Sequence, residues 1–496
     1  MDKVDYSSQK KFIIDILSYL PAKIIPILIS FLWSYIFTRI FSPEEYGLYG
    51  LVLSVTLTAI SVLTEWIGQP VGRFYSDYFE RKELHLYNYA IKTSIKVQTY
   101  LIIIASIISL GYTAIFVPEN TMLVFTAIVN IVLNSFYSLL LPMIPASLNT
   151  KLYRILEIGR PAIRLVIALL IVVSIEKNIL ALIWAESISN LFFLLLMMKP
   201  IQKLLFTDLK TDVADLSKGK ETFIKFLKFG IPMAIWFFCS QFISLGSRFV
   251  IEIYRDSFEV GLYTANFQLI NGISGLISAP ITLAAFPLIM KLWALNEKDK
   301  IVPTLENMTR IYGIIGIGII GGTALIAYEL VKIALDPQYI DGYKIMLPLV
   351  MGFVLWNASI LGHKGMELME STMTMVIAIT ITAIVNVILN FIFVGKFGYV
   401  ASAWVTFASY FIYTAIIYFK SERFIKWRIP KILIVYTFYM LIVVLLLKYL
   451  FTIFTIHSVI MSLIIKGSIF SILYFGPVAY YDLKLKNKKV KISANR

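Results

Sequence analysis

Apolar segments of about twenty residues follow one another along almost the whole chain, separated by short polar or Gly/Pro-containing stretches. Roughly 20 apolar residues are what a helix needs to cross a bilayer core about 30 Å thick. The composition agrees with this pattern, because 59% of the 496 residues are hydrophobic and only 15% are charged. The sequence therefore predicts an all-α integral membrane protein.

The polar breaks divide the chain into fourteen predicted spans. They lie at about residues 12–40, 46–72, 92–116, 120–147, 156–175, 178–198, 223–250, 261–290, 307–330, 343–361, 371–395, 398–419, 430–450 and 459–481.

Both termini are predicted to be cytoplasmic, because this placement puts most of the 45 Lys and Arg residues in cytoplasmic segments. The net charge of +15 then follows from topology, and nucleic acid is not expected as a partner. The first span has no small-residue cleavage site, so we interpret it as a retained span rather than a signal peptide. These features predict a multi-pass protein of the plasma (cytoplasmic or inner) membrane.

Residues for metal or thiol chemistry are few. Cys239 is the only cysteine, and the three histidines are scattered, so the sequence offers neither a disulfide framework nor a metal-ligand cluster. Neither a Walker motif nor H-E-x-x-H occurs. We therefore expect no cofactor and no metal, and a membrane transporter rather than an enzyme.

A five-residue motif occurs twice, as Glu45–Tyr49 before the second span and as Glu259–Tyr263 before the eighth. A weaker echo pairs Ala181–Trp184 with Ala401–Trp404. Two six-span halves of the same orientation, followed by two more spans, are typical of parallel repeats in secondary transporters. The sequence therefore predicts an N-terminal six-helix bundle over residues 1–210 and a second bundle over 211–428. Two additional helices and a basic tail occupy 429–496. The motif itself is interpreted as structural.

Two stretches resemble a known family. They are FTRIFSPEEYGLYGLVLS, from Phe37 to Ser54, and NVILNFIFVGKFGYVASAWVTFASY, from Asn386 to Tyr410. Both are similar to polysaccharide (oligosaccharidyl-lipid) flippases of the multidrug/oligosaccharidyl-lipid/polysaccharide exporter superfamily. The resemblance covers essentially the whole chain, and it implies a MATE/MOP-like fold.

The resemblance also implies a function. Such a flippase moves a polyprenyl-diphosphate-linked oligosaccharide from the inner to the outer leaflet for surface polysaccharide biosynthesis, by alternating access. The partners that the resemblance implies are that glycan, membrane lipid, a polysaccharide polymerase and glycosyltransferases. The alternatives are a cation-coupled multidrug exporter of the same superfamily and a lipid II flippase.

Basic side chains inside the spans are the first candidates for binding a diphosphate. Lys23 lies about 17 Å into span 1 between two prolines, where it contacts substrate or pairs structurally. Arg73 follows Glu65 and Gln69 on one face of span 2. It either receives a diphosphate or forms a helix-stabilising network with Glu65. Lys466 is predicted to snorkel to the interface.

Four further residues complete the substrate candidates. Arg39 either helps release a diphosphate or anchors its helix at the interface, and Arg248 either binds substrate or pairs with Glu252. Asn266 and Asn271 in span 8 are candidates for sugar hydroxyls.

Two acids are candidates for ion coupling. Glu186 in span 6 is the better candidate and Glu65 in span 2 the other, because a desolvated carboxylate can exchange a proton or bind Na⁺. A hydrogen-bonded structural acid fits Glu186 equally well. Coupling to an H⁺ or Na⁺ gradient or to the membrane potential is therefore expected, with the ion left open.

Overall fold

The computed structural model describes residues 6–146, 150–175, 177–205, 213–280, 285–369, 371–454 and 456–494. Within these ranges the chain is helical and contains no strand, which confirms the predicted all-α class. Seventeen α-helices follow in order. They are α1 (Tyr6–Ile40), α2 (Pro43–Glu80), α3 (Leu84–Phe116), α4 (Thr121–Leu140), α5 (Met143–Ala146), α6 (Thr150–Ser174), α7 (Leu180–Leu205), α8 (Val213–Leu245), α9 (Ser247–Tyr254), α10 (Ser257–Pro280), α11 (Phe286–Ala294), α12 (Lys298–Ala334), α13 (Met346–Gly362), α14 (Lys364–Leu368), α15 (Thr372–Ser421), α16 (Ile432–Ile453) and α17 (Val459–Ala494).

Ten helical segments of the described ranges are long and apolar enough to cross a membrane, and a shorter apolar segment covers Ile24–Ile40. Helix α6 is not among the ten, because charged side chains such as Arg160 and Arg164 interrupt its apolar sequence. Helix α15 runs for 50 residues but breaks at Gly398, whose φ of 64° is unfavourable for residues with a Cβ. That break coincides with the predicted boundary between spans 11 and 12. The number fourteen remains a prediction.

The chain forms two compact units. Unit 1 comprises Met1–Trp33, Glu44–Val260 and Ser371–Phe391, and unit 2 comprises Ser34–Pro43, Gly261–Glu370 and Ile392–Arg496. The predicted division at residues 210 and 428 follows sequence repeats rather than contacts, and it stays a prediction.

The core of unit 1 contains an aromatic cluster at the end of α2. The Tyr87 ring lies 5.7 Å from the ring of Tyr75 and 5.7 Å from that of Phe226, and its hydroxyl donates a hydrogen bond to the Val71 carbonyl at 2.8 Å. These contacts hold α2, α3 and α8 together, because an aromatic ring offers a large contact area and the hydroxyl satisfies its own polarity.

The core of unit 2 lies between α12, α16 and α17. Phe470 and Tyr474 stack with their centroids 5.6 Å apart, and Met440 of α16 is buried in the same cluster. The Tyr474 hydroxyl donates to the carbonyl of Ile314 on α12. The predicted C-terminal helices are therefore packed onto the rest of unit 2 rather than attached loosely.

The second copy of the repeated motif has a packing role. A Cβ added to Gly261 would overlap the backbone of Pro43, so only glycine lets the start of α10 approach the first residue of α2 this closely. Tyr263, at the end of the same motif, is fully buried. In this copy the glycine therefore allows close packing against Pro43.

Candidate functional site

Two arginines and one glutamate form an ion cluster in unit 1. Arg160 and Arg164 lie one turn apart on α6, and Glu186 projects from α7. Arg160 Nη2 donates to Glu186 Oε1 and Arg164 Nη1 to Glu186 Oε2, each at 2.6 Å. The three side chains retain only 13 to 25% of their exposure. One carboxylate thus holds both guanidinium groups, one on each oxygen.

Neighbouring helices fix the positions of these arginines. Ser189 of α7 donates to the Arg160 carbonyl at 2.9 Å, and the Asn134 side chain of α4 accepts from Arg160 Nη2 at 3.4 Å. The Arg160 guanidinium lies 4.5 Å from the centre of the Tyr137 ring, and that of Arg164 lies 4.2 Å from the Trp33 ring. Cation–π contacts of this kind favour a planar guanidinium.

Helices α4 and α7 are themselves joined by a buried amide. Asn130 donates through Nδ2 to Ser187 Oγ at 3.2 Å and to the Ile183 carbonyl at 3.4 Å. An amide bonded across two helices holds their register in an apolar surrounding. Glu186 is therefore presented from a helix that cannot turn freely about its axis.

A cavity of about 220 Å³ opens beside the cluster. Its wall includes Arg160, Arg164, Glu186 and a second acid, Glu157. The formal charges of these four groups balance. The two arginines, however, have more N–H donors than the acceptors that they contact. Each guanidinium has five N–H donors, and the three contacts to Glu186 and Asn134 occupy few of them. In particular, the buried Nε of Arg164 has no hydrogen-bond partner among the described residues. N–H groups of these arginines therefore remain for a further hydrogen-bond acceptor in the cavity.

Of the predicted site residues, Glu186 is the one that the structure places in this cluster. The Lys23 side chain lies outside the described residues, although Pro26, three residues further along α1, lines the cavity. Glu65 accepts a hydrogen bond from Gln69 Nε2 at 2.8 Å. Arg73 is exposed, and its guanidinium lies 5.0 Å from the Phe229 ring.

The other predicted arginines lie elsewhere. Arg39 belongs to unit 2, where its Nη2 lies 3.4 Å from the carbonyls of Ile333 and Leu335 at the end of α12. A cation there stabilises the helix C-terminus. Arg248 is buried in unit 1 and donates to Ser54 Oγ at 3.3 Å.

The two asparagines of α10 differ from each other. Asn266 is fully buried and donates to the carbonyls of Leu262 and Tyr339 at 2.9 and 3.1 Å, whereas its Oδ1 has no hydrogen-bond partner among the described residues. Asn271 is exposed. Their role as sugar ligands stays a prediction.

Lys466 differs from its prediction. Its ammonium group forms an ion pair with Glu329 of α12, and Ser462 donates to the same carboxylate at 2.9 Å. The sequence predicted that this lysine snorkels to the interface, because it lies near one end of span 14. Its acid partner, 137 positions away, is not apparent from the sequence.

Arg160 and Arg164 were missed by the sequence analysis. Both lie near the start of predicted span 5, where basic residues are ordinarily explained by the positive-inside rule. Their spacing of four residues around Pro161, inside an apolar segment, was the available signal.

Comparisons with known proteins bear on this geometry. A family model described as polysaccharide biosynthesis protein matches residues 13–293, which is more than half of the 496-residue chain. The search of curated proteins found no match.

Three solved structures illustrate the fold. The chain is similar to the lipid II flippase MurJ in an inward closed conformation, with 14% identity and a TM-score of 0.67 over 93% of this chain and 99% of that one. It is similar to an inward-facing multidrug resistance MATE family transporter of the MOP superfamily (13%, TM-score 0.62, 82% and 94% covered). A MOP superfamily transporter from Pyrococcus furiosus matches at 11% identity and a TM-score of 0.57, with 83% and 93% covered.

At these identities the structural likeness concerns the fold alone, while the family match rests on sequence. Together they confirm the predicted family and the predicted MATE/MOP-like fold. The chain belongs to the polysaccharide biosynthesis protein family and has the helical fold of the MOP superfamily.

Proposed function

We propose that the chain is a flippase that moves a polyprenyl-diphosphate-linked oligosaccharide from the inner to the outer leaflet for surface polysaccharide biosynthesis. The observation that carries this proposal is the pair of arginines held by Glu186 beside a cavity in unit 1. The family match supports it, because a polysaccharide precursor built on the cytoplasmic side has to cross the membrane.

The chemistry of the cluster suits a diphosphate. The oxygens of an ionised diphosphate only accept hydrogen bonds, and a guanidinium presents parallel N–H donors that match two oxygens at once. Arg160 and Arg164 are one helical turn apart, so they can contact neighbouring phosphate groups. Their low exposure strengthens each contact relative to bulk water.

The cavity limits which part of the substrate binds here. Its volume of about 220 Å³ is below the roughly 300–1,000 Å³ of sites that enclose drug-sized ligands. It accommodates the diphosphate, while the glycan and the lipid chain extend beyond it. Asn266 and Asn271 remain proposed contacts of the sugars, and Arg39, Arg73, Arg248 and Lys23 remain proposed contacts of the diphosphate along its path.

Glu186 gives the cluster a means of coupling. A diphosphate that binds Arg160 and Arg164 competes with Glu186 for their donors. A carboxylate displaced in this way needs a new partner, and a proton or Na⁺ supplies one. Alternating access would then be driven by an H⁺ or Na⁺ gradient or by the membrane potential, with Glu65 as a second coupling residue. The protein would work in the inner membrane, with both termini cytoplasmic, beside a polymerase and glycosyltransferases.

Complementation of a deletion strain tests the proposal. Wild type and Lys151→Ala, an exposed cation on the same helix, should restore surface polysaccharide. Arg160→Ala and Arg164→Ala should not, and lipid-linked oligosaccharide should accumulate in the cytoplasmic leaflet. Immunoblots and size-exclusion profiles establish that the variants are present and folded.

The same strain separates the alternatives. Normal surface polysaccharide after deletion would contradict the proposal. A changed antibiotic susceptibility without a polysaccharide defect would instead favour a multidrug exporter, and accumulated lipid II would favour a lipid II flippase.

A further inference from the structure

A cluster of ionisable side chains lies where α13 meets α14 in unit 2. His363 occupies the position between the two helices, and Lys364 and Glu367 belong to α14. One oxygen of the Glu367 carboxylate lies 3.1 Å from His363 Nε2, and the other pairs with Lys364 Nζ. The side chains of His363 and Lys364 are only 3% and 10% exposed, whereas that of Glu367 is 30% exposed. The buried imidazole is thus one hydrogen bond away from a carboxylate that solvent can reach.

Both ring nitrogens of His363 have polar neighbours. Nε2 faces the Glu367 carboxylate, and Nδ1 lies 3.2 Å from the Tyr413 hydroxyl of α15. An ionised carboxylate only accepts hydrogen bonds, so Nε2 carries a hydrogen and donates it. In the neutral ring Nδ1 is then an acceptor, and the Tyr413 hydroxyl donates to it.

The same two contacts also suit the charged ring. When Nδ1 binds a proton, both nitrogens become donors, and the oxygen of a hydroxyl accepts as well as its hydrogen donates. The bond to Tyr413 therefore only reverses its direction, while the bond to Glu367 becomes charge-assisted on both sides. The imidazole keeps both of these hydrogen bonds with and without the added proton.

Packing fixes the Tyr413 side chain that faces Nδ1. Tyr413 is fully buried, and its ring lies 5.1 Å from the ring of Trp356 on α13. The imidazole meets the Tyr413 ring edge to face, with the ring centres 6.4 Å apart. The hydroxyl therefore stays beside Nδ1, and only its hydrogen has to turn when the ring changes its charge.

The charged groups that meet the imidazole belong to the cluster itself. On neighbouring helices, Lys291 of α11 is exposed, and Arg310 of α12 is paired with Asp482. The hydroxyl of Tyr312, also on α12, donates to the carbonyl of Val354. The segment after α15 packs against the end of α13, and its charged residues are exposed: Glu422, Arg423, Lys426 and Arg428. An added proton therefore acts first on Glu367 and, through it, on Lys364.

Lys364 connects this cluster to another helix. Its ammonium group lies 3.8 Å from the centre of the Phe286 ring on α11. While His363 is neutral, the charge of Glu367 serves Lys364 alone. Once His363 is protonated, two cations share one carboxylate, so the hold on Lys364 weakens at the contact between α14 and α11.

We propose that His363 is a proton-binding site of unit 2, with Glu367 as its counter-ion and Tyr413 as the partner that adapts to either charge state. The proton comes from water and ends on Nδ1, where an N–H bond forms. The use of this proton to drive transport rests on the proposed function, whereas its binding does not. Span 10 is predicted to end at residue 361 on the cytoplasmic side, so the proton exchanges with that side.

The other two histidines provide controls. His85 is half-buried at the start of α3, and His457 is exposed just before α17. Replacing both with Gln leaves His363 as the sole histidine of the chain.

Nuclear magnetic resonance of the purified full chain tests the binding of the proton. In the His85→Gln/His457→Gln variant, ring-labelled histidine gives the signals of one imidazole. Its ring-nitrogen resonances should move reversibly between about pH 8 and about pH 5, the range in which histidine ordinarily changes its charge. Resonances that stay fixed over this range would overturn the proposal.

Translocation in proteoliposomes tests the use of the proton, with a fluorescent polyprenyl-diphosphate-linked oligosaccharide as the probe. The wild-type rate should change about fivefold or more over the same pH range, as is typical of two coupled sites. His363→Gln should flatten this profile, because its amide repeats the donor and acceptor of the neutral ring but takes up no proton. His457→Gln should keep the wild-type profile, and equal melting temperatures establish that both variants are folded. A wild-type profile in His363→Gln would overturn the coupling role.

The outcome is separable from that of the proposed function. Proton binding is measured on purified protein without translocation. A wild type that translocates the probe while its imidazole does not respond to pH would refute this inference alone. An imidazole that takes up a proton in a protein that translocates no lipid-linked oligosaccharide would refute the proposed function alone.

Discussion

The ion cluster of unit 1 and the ion pair of unit 2 both join a carboxylate to basic side chains, but they differ in what they leave for a ligand. In unit 1 one carboxylate, Glu186, is shared by Arg160 and Arg164 beside a cavity. In unit 2 Glu329 receives Lys466 and Ser462, so one acid meets one cation and one hydroxyl. The first arrangement leaves the buried Nε of Arg164 without a hydrogen-bond partner among the described residues, beside a cavity, whereas in the second the Lys466 ammonium is paired with its acid. The donors left over after internal pairing therefore distinguish a binding site from a structural contact.

Charge reversal should give the largest difference in translocation between the two regions. Arg164→Glu places a carboxylate opposite Glu186 and removes a donor, and like charges at this distance cost several kcal/mol. Translocation in proteoliposomes should fall about 100-fold or more. Lys466→Glu is the matched reversal in unit 2, and its translocation per folded molecule should change far less. Equal losses would show that both clusters serve transport.

Removal of the shared acid should have an intermediate effect on stability. Glu186→Gln leaves two guanidinium groups close together, and because the cluster is partly exposed the cost should be about 1–3 kcal/mol, below that of a fully buried pair. Thermal unfolding in detergent measures it. Inorganic pyrophosphate should restore part of the lost stability by binding the arginines.

The control for this experiment is Glu157→Gln, which changes the other acid of the cavity wall. A melting temperature that is unchanged in Glu186→Gln, or pyrophosphate protection that persists in Arg160→Ala, would contradict the assigned role of the cluster.

Removal of the Glu329–Lys466 ion pair in unit 2 should have the smallest effect on transport. A double-mutant cycle of Glu329→Gln and Lys466→Met should show a coupling of about 0.5–3 kcal/mol in unfolding, as for contacting charged residues. Translocation per folded molecule should stay within about twofold of wild type. A loss comparable to that of Arg164→Glu would remove the distinction between the two regions.

The sequence predicted much of the helical framework and one member of the cluster. Hydropathy found the apolar segments, and the break at Gly398 falls where the spans were separated. Glu186 stood out because a lone acid in an apolar segment requires a partner. Its partners Arg160 and Arg164 did not stand out, because the positive-inside rule already explains basic residues near the end of a span.

Long-range pairing explains the remaining differences. Lys466 and Glu329 are 137 positions apart, so no local pattern links them. Nothing in the sequence around Gly261 predicts that the backbone of Pro43 packs against it. Hydrophobic periodicity reports which face of a helix is buried, but not which residue of another helix it meets.

By itself, the sequence determined the class of this protein. Runs of about twenty apolar residues must become helices in a membrane, because the backbone has no other partner in hydrocarbon. The tertiary structure alone decided which intramembrane charges pair and which donors remain. Those properties depend on distances between side chains far apart in the chain, and packing sets those distances.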